Sequence, residues 1–287
     1  MNIKIFVSAL ILAGTFFCFR EAAAAGDPVP TYSLQDLLVI PRRVVFEGAM
    51  RTAQLSLVNR GNRQLTYAIS FVNYRMTDDG SVKEITKPEV DERFAEAYVR
   101  FTPRRVVLEP GQVQMLRMQL LKPSDLAEGE YRSHLAFRVI PAAQDAAQPD
   151  SAGRGISIRL IPIYGLSIPV IVRHGSLNAT VRLTGLNLSS KGNPANSVLS
   201  LVIERDGGRS IFGDVEAVWN AHGSKPVVVS RINALAVYTP NAKRTLAMTL
   251  SPPKGLVMKG GELSVRFIEK RTDDTEFVAA ETNLAIP

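Results

Sequence analysis

Between Ile156 and Val172 the chain reads ISIRLIPIYGLSIPVIV. Every second residue is apolar or large: Ile156, Ile158, Leu160, Pro162, Tyr164, Leu166, Ile168, Val170 and Val172. A period of two puts these side chains on one face of an extended strand. Length constrains the fold more than pattern does. At about 3.3 Å per residue the segment spans roughly 56 Å when extended, well past the usual strand of about 5–6 residues. Pro162 and Pro169 lack a backbone N–H, so parts of the strand belong at a sheet edge. A long apolar edge templates aggregation. A chain that keeps one is expected to pair it with another chain by β-augmentation.

The N-terminus has the order of a secretory signal. Lys4 supplies the positive region, Phe6 to Phe19 the apolar region, and Ala22 to Ala25 small-residue cleavage sites. Residues 1–25 are therefore expected to direct export. The apolar run is short for a membrane span, and no later stretch reaches 18 uninterrupted apolar residues, so no stable membrane insertion is expected. The single cysteine, Cys18, lies inside the signal, which leaves residues 26–287 without disulfide or thiol chemistry. Such a length holds two hydrophobic cores. From Gly26 onward 32 Lys and Arg face 26 Asp and Glu. The charges are scattered, with few aromatics among them, which argues against nucleic acid as a partner.

Strand patterns follow one another at short spacing. Leu37–Phe46 reads as the first strand and Thr52–Val58 as the second. Arg60-Gly61-Asn62 is a turn that Leu65–Val72 answers as the next strand, and Asp78-Asp79-Gly80 is a further turn. Residues 84–97 read as loop with at most a helical turn. Val99–Leu108 and Gln112–Leu121 flank Glu109-Pro110-Gly111, and Tyr131–Ile140 closes the group. Strands broken by Gly and Pro turns at this spacing predict an all-β sandwich. Tyr131, just inside a strand, fits a tyrosine corner. Residues 142–155 are small, polar and patternless, and predict a flexible loop feeding the long strand. From His174 the pattern restarts: 177–188, 198–204, 211–219, 227–238, 246–250, 263–269 and 277–286, with Asp206-Gly207-Gly208 read as a hairpin turn. These predict a second sandwich, with the boundary near Arg173-His174-Gly175. Pro41-Arg-Arg-Val-Val and Pro103-Arg-Arg-Val-Val echo each other. The echo reads as a shared strand template rather than a repeat.

Reactive constellations do not stand out. His134, His174 and His222 have no ligand spacing, so no metal is expected. Ser133 and His134 are neighbours in a strand and point to opposite faces, which rules against a nucleophile–base pair. Neither a phosphate loop, a G-x-S-x-G nor a dinucleotide fingerprint occurs. The expectation is a chain without enzyme activity and without cofactors.

Several segments in this order resemble a periplasmic pilus chaperone of the PapD-like superfamily. They are Val39-Ile-Pro-Arg-Arg-Val-Val-Phe-Glu-Gly48, Leu55-Ser-Leu-Val-Asn-Arg-Gly61, Phe101-Thr-Pro-Arg-Arg-Val-Val-Leu-Glu-Pro-Gly111, Gly129-Glu-Tyr-Arg-Ser-His-Leu-Ala-Phe-Arg-Val-Ile-Pro141 and Gly165-Leu-Ser-Ile-Pro-Val170. The likeness covers the first domain, extends to the second in strand pattern alone, and leans towards the archaic branch serving spore-coat-type pilins. It implies two immunoglobulin-like sandwiches in an L or boomerang, with an N-terminal domain over 26–172 and a C-terminal domain over 173–287. The partners it implies are pilin subunits lacking their last strand and an outer-membrane usher. Self-capping of the free chaperone as a homodimer stays open, as do the client and the angle between domains. Localisation would be periplasmic.

The resemblance also assigns sites. Ile156, Ile158, Leu160 and Pro162 would insert into the subunit's groove as a donor strand. Burying the three aliphatic side chains contributes roughly 5–9 kcal/mol gross, less the cost of ordering the loop. The competing reading is that they fill their own domain's core. Arg43, before Val-Val-Phe-Glu-Gly, would anchor the subunit's terminal carboxylate through paired hydrogen bonds; otherwise it is a solvated strand arginine. The family's second anchor is a lysine on the long strand, and residues 156–172 contain none. Arg42, Arg159 and Arg173 are the candidate helpers. The alternative function is an exported structural or adhesive subunit of a surface appendage, which would want a longer N-terminal extension than Gly26–Ser33.

Overall fold

The computed structural model describes residues 36–141, 165–189, 197–221, 225–256, 258–273 and 275–286. The expected export signal, the expected loop at 142–155, residues 156–164 of the expected long strand and His222 lie outside them. Among the described residues the fold is all-β. In chain order the strands are β1 (Leu37–Ile40), β2 (Val44–Phe46), β3 (Thr52–Asn59), β4 (Leu65–Met76), β5 (Val82–Ile85), β6 (Val99–Thr102), β7 (Arg105–Leu108), β8 (Val113–Leu120), β9 (Gly129–Ile140), β10 (Gly165–His174), β11 (Ala179–Ser189), β12 (Val198–Gly207), β13 (Ile211–Asn220), β14 (Val227–Val237), β15 (Lys243–Thr249), β16 (Glu262–Lys270) and β17 (Glu276–Ala285).

Four sheets make two sandwiches. The first packs β1-β3-β8-β6 on β2-β10-β9-β4, where β4 also carries β7 and then β5 along its outer edge. The second packs β11-β12-β15 on β14-β13-β16-β17. Alternation along the strands fills each core. Phe46, Leu55, Leu57, Leu116, Leu135, Phe137, Ile168, Val170 and Val172 are buried in the first. Leu199, Ile203, Val215, Leu263, Val265 and Phe267 are buried in the second. Each such side chain contributes about 1.5–3 kcal/mol when fully buried. β10 thus serves its own core through Leu166, Ile168, Val170 and Val172.

Two expected strands are each two strands. The chain leaves the first sheet at Ile40 and enters the second at Val44; it does so again between Thr102 and Arg105. Pro41 and Pro103 sit at these crossings, each after a cis bond, and a residue without an N–H ends the ladder there. The echoed Pro-Arg-Arg-Val-Val is one device used twice, a change of sheet, and more than a shared strand template. The hairpin reading of Asp206-Gly207-Gly208 is also corrected. The Arg60-Gly61-Asn62 and Asp206-Gly207-Gly208 turns join strands of opposite sheets, β3 to β4 and β12 to β13. Turn chemistry alone does not tell a hairpin from a crossover. Asp78-Asp79-Gly80 does close a hairpin, since β4 pairs with β5, and β5 occupies the start of the segment read as loop. The tyrosine corner is present: Tyr131 Oη donates to the Ala127 carbonyl at 2.9 Å.

The two sandwiches meet over a third apolar cluster. It joins Met76, Ile171 and Val45 of the first to Phe212, Ala236 and Tyr238 of the second. Around it, Asn241 Nδ2 donates to the Met76 carbonyl at 3.0 Å and Thr245 N to the Asp78 carbonyl at 2.6 Å.

Candidate functional site

β2 and β10 run parallel, with Val44 beside Val170, Val45 beside Ile171 and Phe46 beside Val172. Even positions of this pair fill the core, so odd positions face the second sandwich. That face carries Arg43, Val45 and Glu47 from one strand and its flanks, and Pro169, Ile171 and Arg173 from the other. Residues of the second sandwich close over it. Arg43, Glu47, Arg173, Arg209, Ser210, Phe212, Lys270 and Thr272 line one cleft of about 450 Å³.

A buried carboxylate lies beneath the cleft and meets a guanidinium that lines it. Glu130, buried in β9, accepts hydrogen bonds from Arg173 Nε at 3.0 Å, Ser210 N at 3.0 Å, Thr239 Oγ1 at 3.3 Å and the Ser210 hydroxyl. Arg173 also donates from Nη2 to the Ser210 carbonyl at 3.1 Å and from Nη1 to Glu47 Oε2 at 3.2 Å. Its side chain is 7% exposed. Arg173, expected as a helper, is therefore in the cleft but already committed to three partners. Arg209 pairs with Glu269, and Lys270 with Asp214 at 3.0 Å.

Arg43 differs. Its guanidinium lies over the Phe212 ring, 4.6 Å from the centroid. Its Nε and Nη2 are shut off from solvent and have no hydrogen-bond partner among the described residues. Burial, and then the neighbouring Arg173, pull its pKa below the ordinary value. A buried guanidinium edge without acceptors is costly, and a carboxylate satisfies it with two parallel bonds. Arg42 is exposed and not part of the cleft. Arg159 lies outside the described residues, as do Ile156, Ile158, Leu160 and Pro162.

The start of the long strand has a second property. β10 pairs with β9 along its whole length, from Gly165 opposite Arg138 to His174 opposite Gly129. On its other edge β2 covers Val170 to Val172. No described strand pairs with that edge from Gly165 to Pro169. β9 itself ends at Ile140, two residues beyond the position facing Gly165.

Ser133 and His134 are apart, as strand alternation requires. Ser133 Oγ donates to Asn73 Oδ1 at 2.7 Å and accepts from the amides of Ala95 and Glu96, each at 3.0 Å. His134 is buried between Tyr74 and Tyr238. Burial, with Arg132 adding to it, lowers its pKa to about 3. Among the described residues no three His, Cys, Asp or Glu side chains group as metal ligands. Sequence reasoning missed Glu47, Glu130, Ser210 and Phe212. Odd-position parity on β2 could have found Glu47; no local signal points to the others.

No family model matches the chain, and no curated protein matches it. Solved structures that align with it include the YadV chaperone, 14% identical over 88% of this chain and 100% of that one, TM-score 0.43. Another is the CsuC–CsuE chaperone–tip adhesion subunit complex of the archaic Csu pili of Acinetobacter baumannii, 12% identical over 87% and 97%, TM-score 0.41. A third is the CupB2 chaperone of Pseudomonas aeruginosa, 13% identical over 87% and 99%, TM-score 0.40.

Proposed function

We propose that the chain is a periplasmic, non-enzymatic assembly chaperone that caps pilin subunits by donor-strand complementation and passes them to an outer-membrane usher. The domain from 26 to 172 donates the strand, and the domain from 173 to 287 forms the other wall of the cleft. The observation that carries this reading is the edge of β10. Gly165 to Pro169 offer backbone groups that no described strand takes up, and the alternating Ile156, Ile158, Leu160 and Pro162 precede them directly. A subunit that lacks a strand has the complementary defect, an apolar groove with unpaired backbone groups, both costly in water. The unsatisfied edge of Arg43 supports a carboxylate anchor at the far end of the same strand pair.

The test is co-expression with a spore-coat-type pilin, comparing wild type with Ile158→Asp and Leu160→Asp. Both variants are expected to fold, by circular dichroism, and to lose the one-to-one complex on purification. If folded variants retain the subunit, strand donation is wrong.

A further inference from the structure

We infer that Glu47 is a latch on the cleft: its carboxylate holds Arg173 and Thr272 together, and an incoming subunit carboxylate takes its place. This rests on the reading of Arg43 as a carboxylate anchor. Glu47 directly follows β2, one residue past the Phe46–Val172 pair, and its carboxylate meets Arg173 at 3.2 Å. One oxygen, Oε2, accepts from Arg173 Nη1 at 3.2 Å and from Thr272 Oγ1 at 3.1 Å. Thr272 belongs to the turn between β16 and β17, so the contact ties the two sandwiches together at the cleft.

The other acids in and beneath the cleft are poor candidates for exchange. Asp273 lines it but closes its own turn, accepting from Thr275 N at 3.1 Å and Thr275 Oγ1 at 2.6 Å. Glu130 is buried under four hydrogen bonds. Glu269 is 2% exposed and paired with Arg209. The Glu47 side chain is 42% exposed, so releasing it to water costs least. Exchange leaves the charge on Arg173 neutralised throughout, and brings the incoming carboxylate into the cleft that the Arg43 guanidinium also lines. The second basic group of the anchor is then Arg173, made available by Glu47 rather than free beforehand.

The probe is the peptide acetyl-Thr-Val-Thr-Val-Phe with a free C-terminal carboxylate, beside the same peptide as a C-terminal amide. Each is titrated into the chain while the Arg43 Nε–H resonance is followed by NMR. Wild type is expected to bind the acid more tightly than the amide. Glu47→Gln and Glu47→Ala are expected to tighten acid binding, roughly five-fold for a partly exposed ion pair, and to leave the amide unchanged. If wild type prefers the acid but neither variant tightens it, the latch is wrong and the anchor stands. If wild type does not distinguish acid from amide, the anchor reading fails and the latch with it.

Discussion

Arg43 and His134 both pack against aromatic rings of the second sandwich, and their chemistry diverges there. Two Arg43 guanidinium nitrogens have no hydrogen-bond partner among the described residues, the feature on which the anchor reading rests. His134 is held neutral between two tyrosines, beside Arg132 on its own strand. A histidine whose folded pKa is depressed to about 3 gives stability that is fully present above its unfolded pKa of about 6.5 and falls as pH drops below it. The unfolded chain takes up a proton in that window and the folded chain does not. The limiting slope is about 1.4 kcal/mol per pH unit. Urea unfolding between about pH 6.5 and 5, above the carboxylate range, should show this decline in wild type and a shallower one in His134→Phe. Equal slopes would show that His134 is not buried neutral. At this scale the sequence singled out Arg43, because the resemblance points to a strand arginine before Val-Val-Phe-Glu-Gly, and the structure places it in the cleft. Glu130 was opaque. Its partner Ser210 is 80 residues away, and nothing in local spacing encodes a contact made by two domains.

At the scale of elements, period-two alternation found most strands within a few residues, because a half-buried strand must alternate. It failed where a strand changes sheets. Pro41 and Pro103 interrupt the ladder without interrupting the apolar pattern, so Leu37–Phe46 and Val99–Leu108 each looked continuous. The β4–β5 hairpin shows what a turn can add. Gly80 has φ +83°, and a Cβ there would run into the guanidinium of Arg244 in the second sandwich. Gly48 has φ +59° with nothing within 4 Å. Both glycines relieve a left-handed backbone, yet Gly80 also lets the hairpin touch its neighbour. Gly48→Ala is expected to cost about 1–2 kcal/mol, the left-handed penalty for a residue with a Cβ, and Gly80→Ala more. Chemical denaturation of the two variants checks this; equal losses would mean that Arg244 moves aside freely.

At the scale of the molecule, two sandwiches share a small apolar cluster ringed by buried polar bonds, and the cleft beside it holds Arg43, Glu47 and Arg173. The two-domain plan was legible in the restart of strand patterns after His174. The cleft was not, since it needs both domains in place. The central claim is that residues 156–164 complete another protein's sheet. Hydrogen–deuterium exchange on the full chain, alone and in complex with a pilin subunit, tests it most directly. Backbone pairing along a new strand predicts that amides from 156 to 164 gain strong protection on binding, together with those at the open edge of β10 from Gly165 to Ile168. Protection confined to the cleft or to the second sandwich, with 156–164 exchanging at the same rate in both states, would contradict it.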